Sequence, residues 1–273
     1  MKLFAYLLVA SSIFFGACSS NNVTNDDSLK KYFDENNVTG SFGLFDNGQG
    51  HFTIYNRKTF RDSAYLPAST FKIVNSLIGI EIGRVKDDST VIKWDGVVRS
   101  NPQWNQDLSM YNAFRLSCVP WFQELARRIG KDTMQHWIDT LGYGRRYTKP
   151  VINKIDTFWL DNSVKVTPDE QLGLVKKLYF DQLPFQKRTQ RIVRSMMLME
   201  SNANYELSYK TGWGYTEDGR SIGWIVGWIE ENKHPYFFVL QIASTGKPLD
   251  VSAVRIKMLK DILAQYGFMK GKK

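Results

Sequence analysis

The sequence predicts an α+β fold: an antiparallel sheet built from both chain ends, with flanking helices and a mainly helical lobe inserted between the two sets of strands. Residues 40–56 alternate apolar and polar side chains on both sides of Asn47-Gly48, which is a strong hairpin signal. Helical patterns dominate roughly residues 105–200, and strand patterns return after residue 205 before a last helix. This order of elements is typical of an α+β domain.

The composition indicates a globular chain. Its 273 residues are 43% hydrophobic and 14% aromatic, which supplies enough apolar material for one large core or two small lobes. The formal net charge is +9, from 36 basic and 27 acidic residues, but the basic residues are scattered among the acids. Neither a basic stripe nor an RNP or zinc-finger motif is present. We therefore expect a weak attraction for anions and no nucleic-acid partner.

The first residues have the features of an export signal. One early lysine precedes an apolar run that is too short to span a bilayer comfortably, and small residues follow it. We predict a signal peptide at residues 1–17, a flexible polar tether at 18–29 and a folded domain at 30–273. Cys18 stands where a lipoprotein signal carries its lipidated cysteine, and ordinary secretion is the alternative. In either case Cys118 is left alone, so the domain must be stable without an internal disulfide.

Four elements of the domain can be placed from their patterns. The run "STFKIVNSLIGIEIGRV" from Ser69 is apolar on nearly every side, which predicts a helix buried all round. Thr167-Pro168-Asp169-Glu170 is a capping box with proline at the first helical position, leading into "QLGLVKKLYF". The segments "SIGWIVGWIE" and "PYFFVLQIA" predict a second hairpin that turns at "ENKH". An amphipathic helix from Val251 closes the chain.

The candidate nucleophile is Ser69, because Lys72 follows three positions later in "PASTFK". Positions i and i+3 of a helix share one face about 5 to 6 Å apart, so the amine can activate the hydroxyl. The N–H of Ser69 at a helix start would also face a developing oxyanion. The three histidines lie in a hairpin, an amphipathic helix and a turn, and G-x-S-x-G is absent, which disfavours a histidine base. The alternative is a surface lysine near a serine, because S-x-x-K alone is frequent by chance.

Several short motifs occur in one order along the chain. They are Ser69-Thr70-Phe71-Lys72, Trp104-Asn105-Gln106-Asp107, Ser117-Cys118-Val119, Phe158-Trp159-Leu160, Lys210-Thr211-Gly212 and Arg255. In this order they resemble the class D β-lactamases, the oxacillinase family of serine penicillin-recognising enzymes. The resemblance covers roughly residues 40–265. It implies a β-lactamase/transpeptidase-like fold and hydrolysis of the β-lactam amide bond, which confers resistance to β-lactam antibiotics.

The resemblance also implies the catalytic roles. Ser69 would be the nucleophile, and Lys72 would add carbon dioxide to become an N-carboxylated general base. Burial lowers the pKa of a lysine and would supply the neutral amine that this addition needs. Ser117 would pass a proton to the departing ring nitrogen, the indole N–H of Trp159 would hold one carbamate oxygen, and Val119 would help to keep the pocket dry. No metal is expected, and no cofactor other than carbon dioxide or bicarbonate.

The substrate-binding residues follow from the same resemblance. Lys210, Thr211 and Arg255 offer two cations and a hydroxyl to the carboxylate of a β-lactam. The backbone N–H of Trp213 would be the second oxyanion donor, and Gly212 would allow close approach of the ligand.

Some questions stay open. Where the family usually has Tyr-Gly-Asn, this chain has Tyr143-Gly144-Arg145, and we assign no catalytic role to Arg145. The nearest alternative function is a penicillin-binding sensor or transpeptidase that is acylated but deacylates slowly. A non-catalytic envelope lipoprotein that binds peptidoglycan is an alternative of another class. The expected location is the periplasm or a lipid anchor in a bacterial envelope membrane, and the substrate spectrum and a homodimer stay undetermined.

Overall fold

The computed structural model describes residues 22–147, 149–246 and 250–273. Its strands are β1 (Val23–Asn25), β2 (Val38–Asp46), β3 (His51–Tyr55), β4 (Val91–Ile92), β5 (Leu108–Ser109), β6 (Leu198–Ser201), β7 (Glu206–Tyr215), β8 (Ser221–Glu231) and β9 (His234–Ser244). Its α-helices are α1 (Lys30–Glu35), α2 (Arg57–Asp62), α3 (Lys72–Glu81), α4 (Met110–Arg115), α5 (Val119–Ile129), α6 (Lys131–Leu141), α7 (Pro168–Tyr179), α8 (Lys187–Met196) and α9 (Val251–Gln265).

The main sheet joins the two ends of the chain, as predicted. Its seven strands run in the order β1-β3-β2-β9-β8-β7-β6. Strand β2 pairs antiparallel with β9 over its whole length, from Val38 opposite Ser244 to Asp46 opposite Tyr236. Both predicted hairpins are present, and the second turns through Asn232 and Lys233 with the positive φ values of 50° and 64° that a tight hairpin turn requires. The sequence-based prediction of the fold class is therefore confirmed.

The start of the described chain differs from the prediction. Val23 pairs with Phe52, so β1 adds a parallel edge strand to an otherwise antiparallel sheet, and Leu29 is fully buried. The prediction that the flexible tether extends to residue 29 was therefore wrong for residues 23–29. Polar composition favours a tether, but it does not register that a short polar segment can pair with a sheet edge. The predicted signal peptide and Cys18 lie outside the described residues.

Two layers of helices cover the sheet. Helices α1 and α9 pack on one face, where Phe33, Leu259 and Ile262 join the buried core. Helix α7 packs on the other face, and the helical lobe continues this second layer. Helix α3 lies in the lobe between α5 and α8, and every residue from Lys72 to Ile80 is buried, as predicted. Within the described ranges, none of the helices is both long and apolar enough to cross a bilayer.

The capping box of α7 is formed as predicted. The Thr167 hydroxyl accepts the Glu170 N–H at 3.2 Å, and the Glu170 carboxylate accepts the Thr167 N–H at 2.8 Å. These two bonds satisfy backbone donors that a helix start leaves free. One residue later, the Gln171 side-chain amide donates to the Thr70 hydroxyl at 2.6 Å. The start of α7 therefore supports the residue that follows Ser69.

We expect Thr167→Ala to lower the free energy of unfolding by about 1 kcal/mol, because it removes the hydroxyl that caps α7. Urea denaturation monitored by circular dichroism measures the change. Thr140→Ala is the matched control. Thr140 lies at the exposed end of α6, where its hydroxyl donates to the His136 carbonyl at 2.8 Å and caps no helix start. Equal stability of the Thr167 variant and the wild type would contradict the capping argument.

Candidate active site

Ser69 and Lys72 meet at the start of α3. Ser69 lies in a short 3₁₀ turn, Ala68–Phe71, which leads directly into the helix at Lys72. The Lys72 amine donates to the Ser69 hydroxyl at 2.6 Å. Ser69 retains 8% of its surface, whereas Lys72 is fully buried. The alternative that Lys72 is a surface lysine is therefore wrong, and the pair has the geometry of a nucleophile and its base.

Burial governs the charge of Lys72. No described acidic side chain forms an ion pair with its amine, and the ring of Phe122 lies 5.4 Å away. Loss of hydration penalises the charged form, which lowers the pKa of Lys72 from 10.5 to about 7. A substantial fraction of the amine is therefore neutral near pH 7, and a neutral amine can act as a base or a nucleophile.

A second buried lysine, Lys210, lies near the pair. Lys210, on β7, donates to the hydroxyl of Ser117 and to the Thr211 carbonyl, the latter at 3.1 Å. Only 4% of Lys210 is exposed. Burial lowers its pKa well below the usual value, and repulsion from Lys72 and Arg255 lowers it further. The predicted S-x-V and K-T-G motifs thus come together at one hydrogen bond.

The Phe158-Trp159-Leu160 segment contacts the nucleophile turn through its backbone and its ring. The Trp159 carbonyl accepts the Ala68 N–H at 3.0 Å, and its indole stacks on Phe71 with ring centroids 5.5 Å apart. Trp159 is fully buried, yet its indole nitrogen has no hydrogen-bond partner. A buried donor without an acceptor is unfavourable, so this position is suited to an additional oxygen atom.

The predicted substrate-binding residues line the edge of β7. Arg255 is the fifth residue of α9, is 7% exposed and donates to the Gly212 carbonyl. Burial lowers its pKa to about 10. A Cβ at Gly212 would lie 2.9 Å from the Pro67 carbonyl oxygen, so the close approach expected of a ligand here is made by the protein's own backbone. Trp213 is 48% exposed, and its indole donates to the Ser221 hydroxyl at 2.8 Å.

Backbone strain marks two positions of the site that sequence reasoning missed. Ala68 and Ser117 have φ values of 49° and 52°, which non-glycine residues rarely adopt. Such strain is concentrated at functional sites, where surrounding structure holds it. Here the Trp224 indole helps by donating to the Leu66 carbonyl at 3.0 Å. No local pattern reports these angles, because they depend on contacts with distant strands.

The other residues that the sequence singled out have varied surroundings. Arg145 is exposed, which is consistent with the absence of a catalytic role. His234 contacts the Asp46 carboxylate at 3.1 Å, and His51 contacts Thr24 at 2.9 Å. Cys118 is buried, and burial raises the pKa of its thiol, which disfavours the reactive thiolate. Val119, the first residue of α5, is half-buried.

Comparison with known proteins agrees with this arrangement. The family described as penicillin binding protein transpeptidase domain matches residues 25–264. Beta-lactamase OXA-48 of Klebsiella pneumoniae is 36% identical over 266 residues, which cover 97% of each chain. The chain belongs to the class D β-lactamases. This family consists of serine β-lactamases, whose chemistry requires a serine hydroxyl beside a base.

Solved structures of class D β-lactamases have the same fold. The enzyme from Sebaldella termitidis superposes with a TM-score of 0.84 at 31% identity, covering 91% of this chain and 98% of that one. The C-terminal domain of the penicillin receptor BlaR of Bacillus licheniformis also matches, with a TM-score of 0.83 at 29% identity over 90% of this chain and 96% of that one. The fold alone therefore does not separate this enzyme family from a receptor domain.

The burial of Lys72 should make the stability of the protein depend on pH. Because its pKa of about 7 in the folded protein lies below the ordinary 10.5, the unfolded chain binds more protons between these values, and wild-type stability rises with pH there. We expect Lys72→Met to be more stable than the wild type at and below pH 7. Above that pH the difference should shrink by up to about 1.4 kcal/mol per pH unit.

Urea denaturation at several pH values in buffer free of carbon dioxide measures this difference. Lys58→Met, at an exposed position of α2, controls for the loss of one positive charge. A stability difference between Lys72→Met and the wild type that does not change with pH would contradict the buried-amine argument.

Proposed function

We propose that this protein hydrolyses the amide bond of β-lactams through an acyl-enzyme on Ser69, with N-carboxylated Lys72 as the general base. The observation that carries the proposal is the contact of 2.6 Å between the buried Lys72 amine and the Ser69 hydroxyl. The family match and the intact S-x-V and K-T-G motifs support it. Proton removal by a positioned base is what a serine hydroxyl needs to attack an amide carbonyl near neutral pH.

The surroundings of Lys72 fit a carboxylated amine. The amine is partly neutral near pH 7, and the unpartnered indole N–H of Trp159 is a donor that a carbamate oxygen would satisfy. When present, the carboxylate on Lys72 would supply a base for both the acylation and the deacylation half-reactions. Arg255 is a buried cation and Lys210 a buried amine that a nearby negative charge would help to protonate, so an added negative charge is also favoured electrostatically.

The other side chains take the remaining roles. Ser69 would supply the oxygen that bonds to the lactam carbonyl carbon, and its N–H, with that of Trp213, would donate to the resulting oxyanion. The ring nitrogen that leaves needs a proton, and Ser117 can pass one because its hydroxyl contacts the Lys210 amine. Arg255 and Lys210 attract the substrate carboxylate toward this edge of β7.

A receptor domain is the second candidate. Regulatory protein BlaR1 of Bacillus licheniformis is 30% identical over 87% of this chain, although the match covers only 38% of that longer protein. A sensor would be acylated on the same serine and would then release the product slowly. The two functions differ in deacylation rate and not in the residues that bind the β-lactam.

Turnover of a chromogenic cephalosporin distinguishes the two functions. We expect many turnovers per protein molecule, whereas a sensor would give a burst of about one equivalent followed by silence. Ser69→Ala should lower kcat/KM at least about 1000-fold, because no other group can form the acyl-enzyme. Alanine variants of His51, His136 and His234 should keep the wild-type rate. A histidine variant as impaired as the Ser69 variant would contradict a lysine base.

Trp159→Phe tests the carboxylated lysine. The ring can still stack on Phe71, but the unpartnered indole N–H is removed. We expect a weaker carbamate signal in ¹³C NMR with labelled bicarbonate, and a loss of steady-state activity that added bicarbonate partly restores. Trp137→Phe is the matched control, since Trp137 stacks on Phe185 elsewhere in the lobe. A wild-type protein that shows no carbamate signal in bicarbonate would exclude this base.

We further propose that the protein is exported and protects a bacterial cell from β-lactams. The hydrophobic leader and Cys18 support export, and the family membership supports protection. Expression in a sensitive strain should raise the minimal inhibitory concentration of a penicillin, and Ser69→Ala should abolish the increase. Mass spectrometry of the mature N-terminus would show whether Cys18 carries lipid.

A further inference from the structure

A cavity of about 170 Å³ lies beside the K-T-G strand. The end of α4 contributes Phe114 and Arg115, β6 contributes Met199, and β7 contributes Lys210. Lys210 also contacts Ser117, so the cavity adjoins the reaction centre. Pockets that hold a whole drug-sized ligand have volumes of roughly 300 to 1,000 Å³. This cavity is therefore suited to one substituent of a substrate and not to the substrate itself.

The cavity has an unbalanced positive charge. Arg115, Lys210 and Arg255 line it, and none of the described residues around it is acidic. The nearby acids are engaged elsewhere. Glu200 pairs with Lys260 at 2.7 Å, and the Asp250 carboxylate accepts the N–H groups that begin α9. Basic side chains with no acidic residue in the cavity lining attract an anion, and the anion in turn favours the charged form of Lys210.

Donors in the cavity remain available for such an anion. The guanidinium of Arg255 donates to Gly212, yet its Nε is buried and has no partner. Arg115 donates from one guanidinium nitrogen to the Leu198 carbonyl. It also packs over the ring of Tyr111, with 5.4 Å between the guanidinium carbon and the ring centroid. A planar guanidinium has five donors, so one backbone bond leaves most of them free. Charge-assisted bonds from arginine to a carboxylate are among the stronger hydrogen bonds in proteins.

The connectivity of a cephalosporin indicates which group would enter. Its ring carboxylate is attached to C4, and the neighbouring atom C3 carries the variable substituent. If the ring carboxylate binds Arg255 and Lys210 as proposed above, the C3 substituent begins at the ring atom next to the one that carries this carboxylate. Arg255 and Lys210 also line the cavity. The cavity is therefore the adjoining free volume that such a substituent can reach.

We propose that Arg115 is a specificity-determining residue, and that the cavity it lines accepts a second anionic group on the C3 substituent of a cephalosporin. The protein then favours dianionic cephalosporins over monoanionic ones with the same acyl side chain. This inference rests on the proposed function, since it uses the binding mode of the ring carboxylate. It adds a residue that belongs to none of the motifs found in the sequence.

The test compares two cephalosporins that share the acyl side chain and differ in having a neutral or a carboxylate-bearing C3 substituent. The readout is the ratio of their kcat/KM values, dianionic over monoanionic. Arg115→Gln should lower this ratio about tenfold, the effect of losing one charge-assisted hydrogen bond. Arg115→Lys should retain most of it, because the charge is kept. Arg128→Gln, on the exposed face of α5, controls for net charge and should leave the ratio unchanged.

A second substrate pair tests the position of the anion. Benzylpenicillin and its α-carboxylated derivative differ by a carboxylate on the acyl side chain, away from C3, so their ratio should not respond to Arg115→Gln. If Arg115→Gln lowers kcat/KM equally for both cephalosporins, the ratio is unchanged and Arg115 only holds α4 to β6. An unchanged ratio would overturn the proposal. If the protein acylates without turnover, the same ratios can be taken from acylation rates, so failure of the proposed function remains separate from failure of this inference.

Discussion

The burial of one amine beside one hydroxyl is the constraint on which the rest of this structure depends. A charged lysine in a core without a counter-ion is strongly unfavourable, and the protein meets this constraint by lowering the pKa of Lys72 to about 7. That effect requires water to be excluded from every side of α3. Helices α5 and α8 and the aromatic side chains around Phe71 provide this exclusion. The helical lobe therefore acts as the low-dielectric environment of a single amine as well as a structural layer.

The catalytic segments come from distant parts of the chain and are held together largely through backbone atoms. The Trp159 carbonyl accepts from Ala68, the Leu66 carbonyl accepts from Trp224, and the Gly212 carbonyl accepts from Arg255. A carbonyl acceptor is present whatever side chain the residue carries. The bond from Ala68 to the Trp159 carbonyl helps to hold the positive φ of Ala68, and the contact of Ser117 with Lys210 helps to hold that of Ser117.

The parts that the sequence predicted are those with strong local signals. The hairpin at Asn47-Gly48, the buried helix after Ser69 and the capping box at Thr167 each combine a periodic pattern with a specific turn or cap residue. The edge strand β1 was missed because a strand of three residues, Val23-Thr24-Asn25, is too short to show a periodic pattern, and its pairing with β3 depends on the rest of the sheet. The motifs nominated Ser69 and Lys72 correctly as neighbours. They gave no information on Arg115, which reaches the site only because α4 ends beside β6 and β7.

The charge of the site has a consequence for its energetics. Lys210 lies close enough to Lys72 and Arg255 for their charges to lower its pKa, and no described carboxylate forms an ion pair with any of the three. The free protein therefore carries an electrostatic penalty that an anion relieves, whether that anion is a carboxylate on Lys72 or the carboxylate of a substrate. Because the penalty is present before binding, its relief adds to the affinity without any movement of the backbone. The same excess of positive charge disfavours a neutral ligand, which would remove hydration from the cations and offer no charge in return. The buried basic side chains therefore favour an anionic ligand, and burying them lowers the stability of the fold.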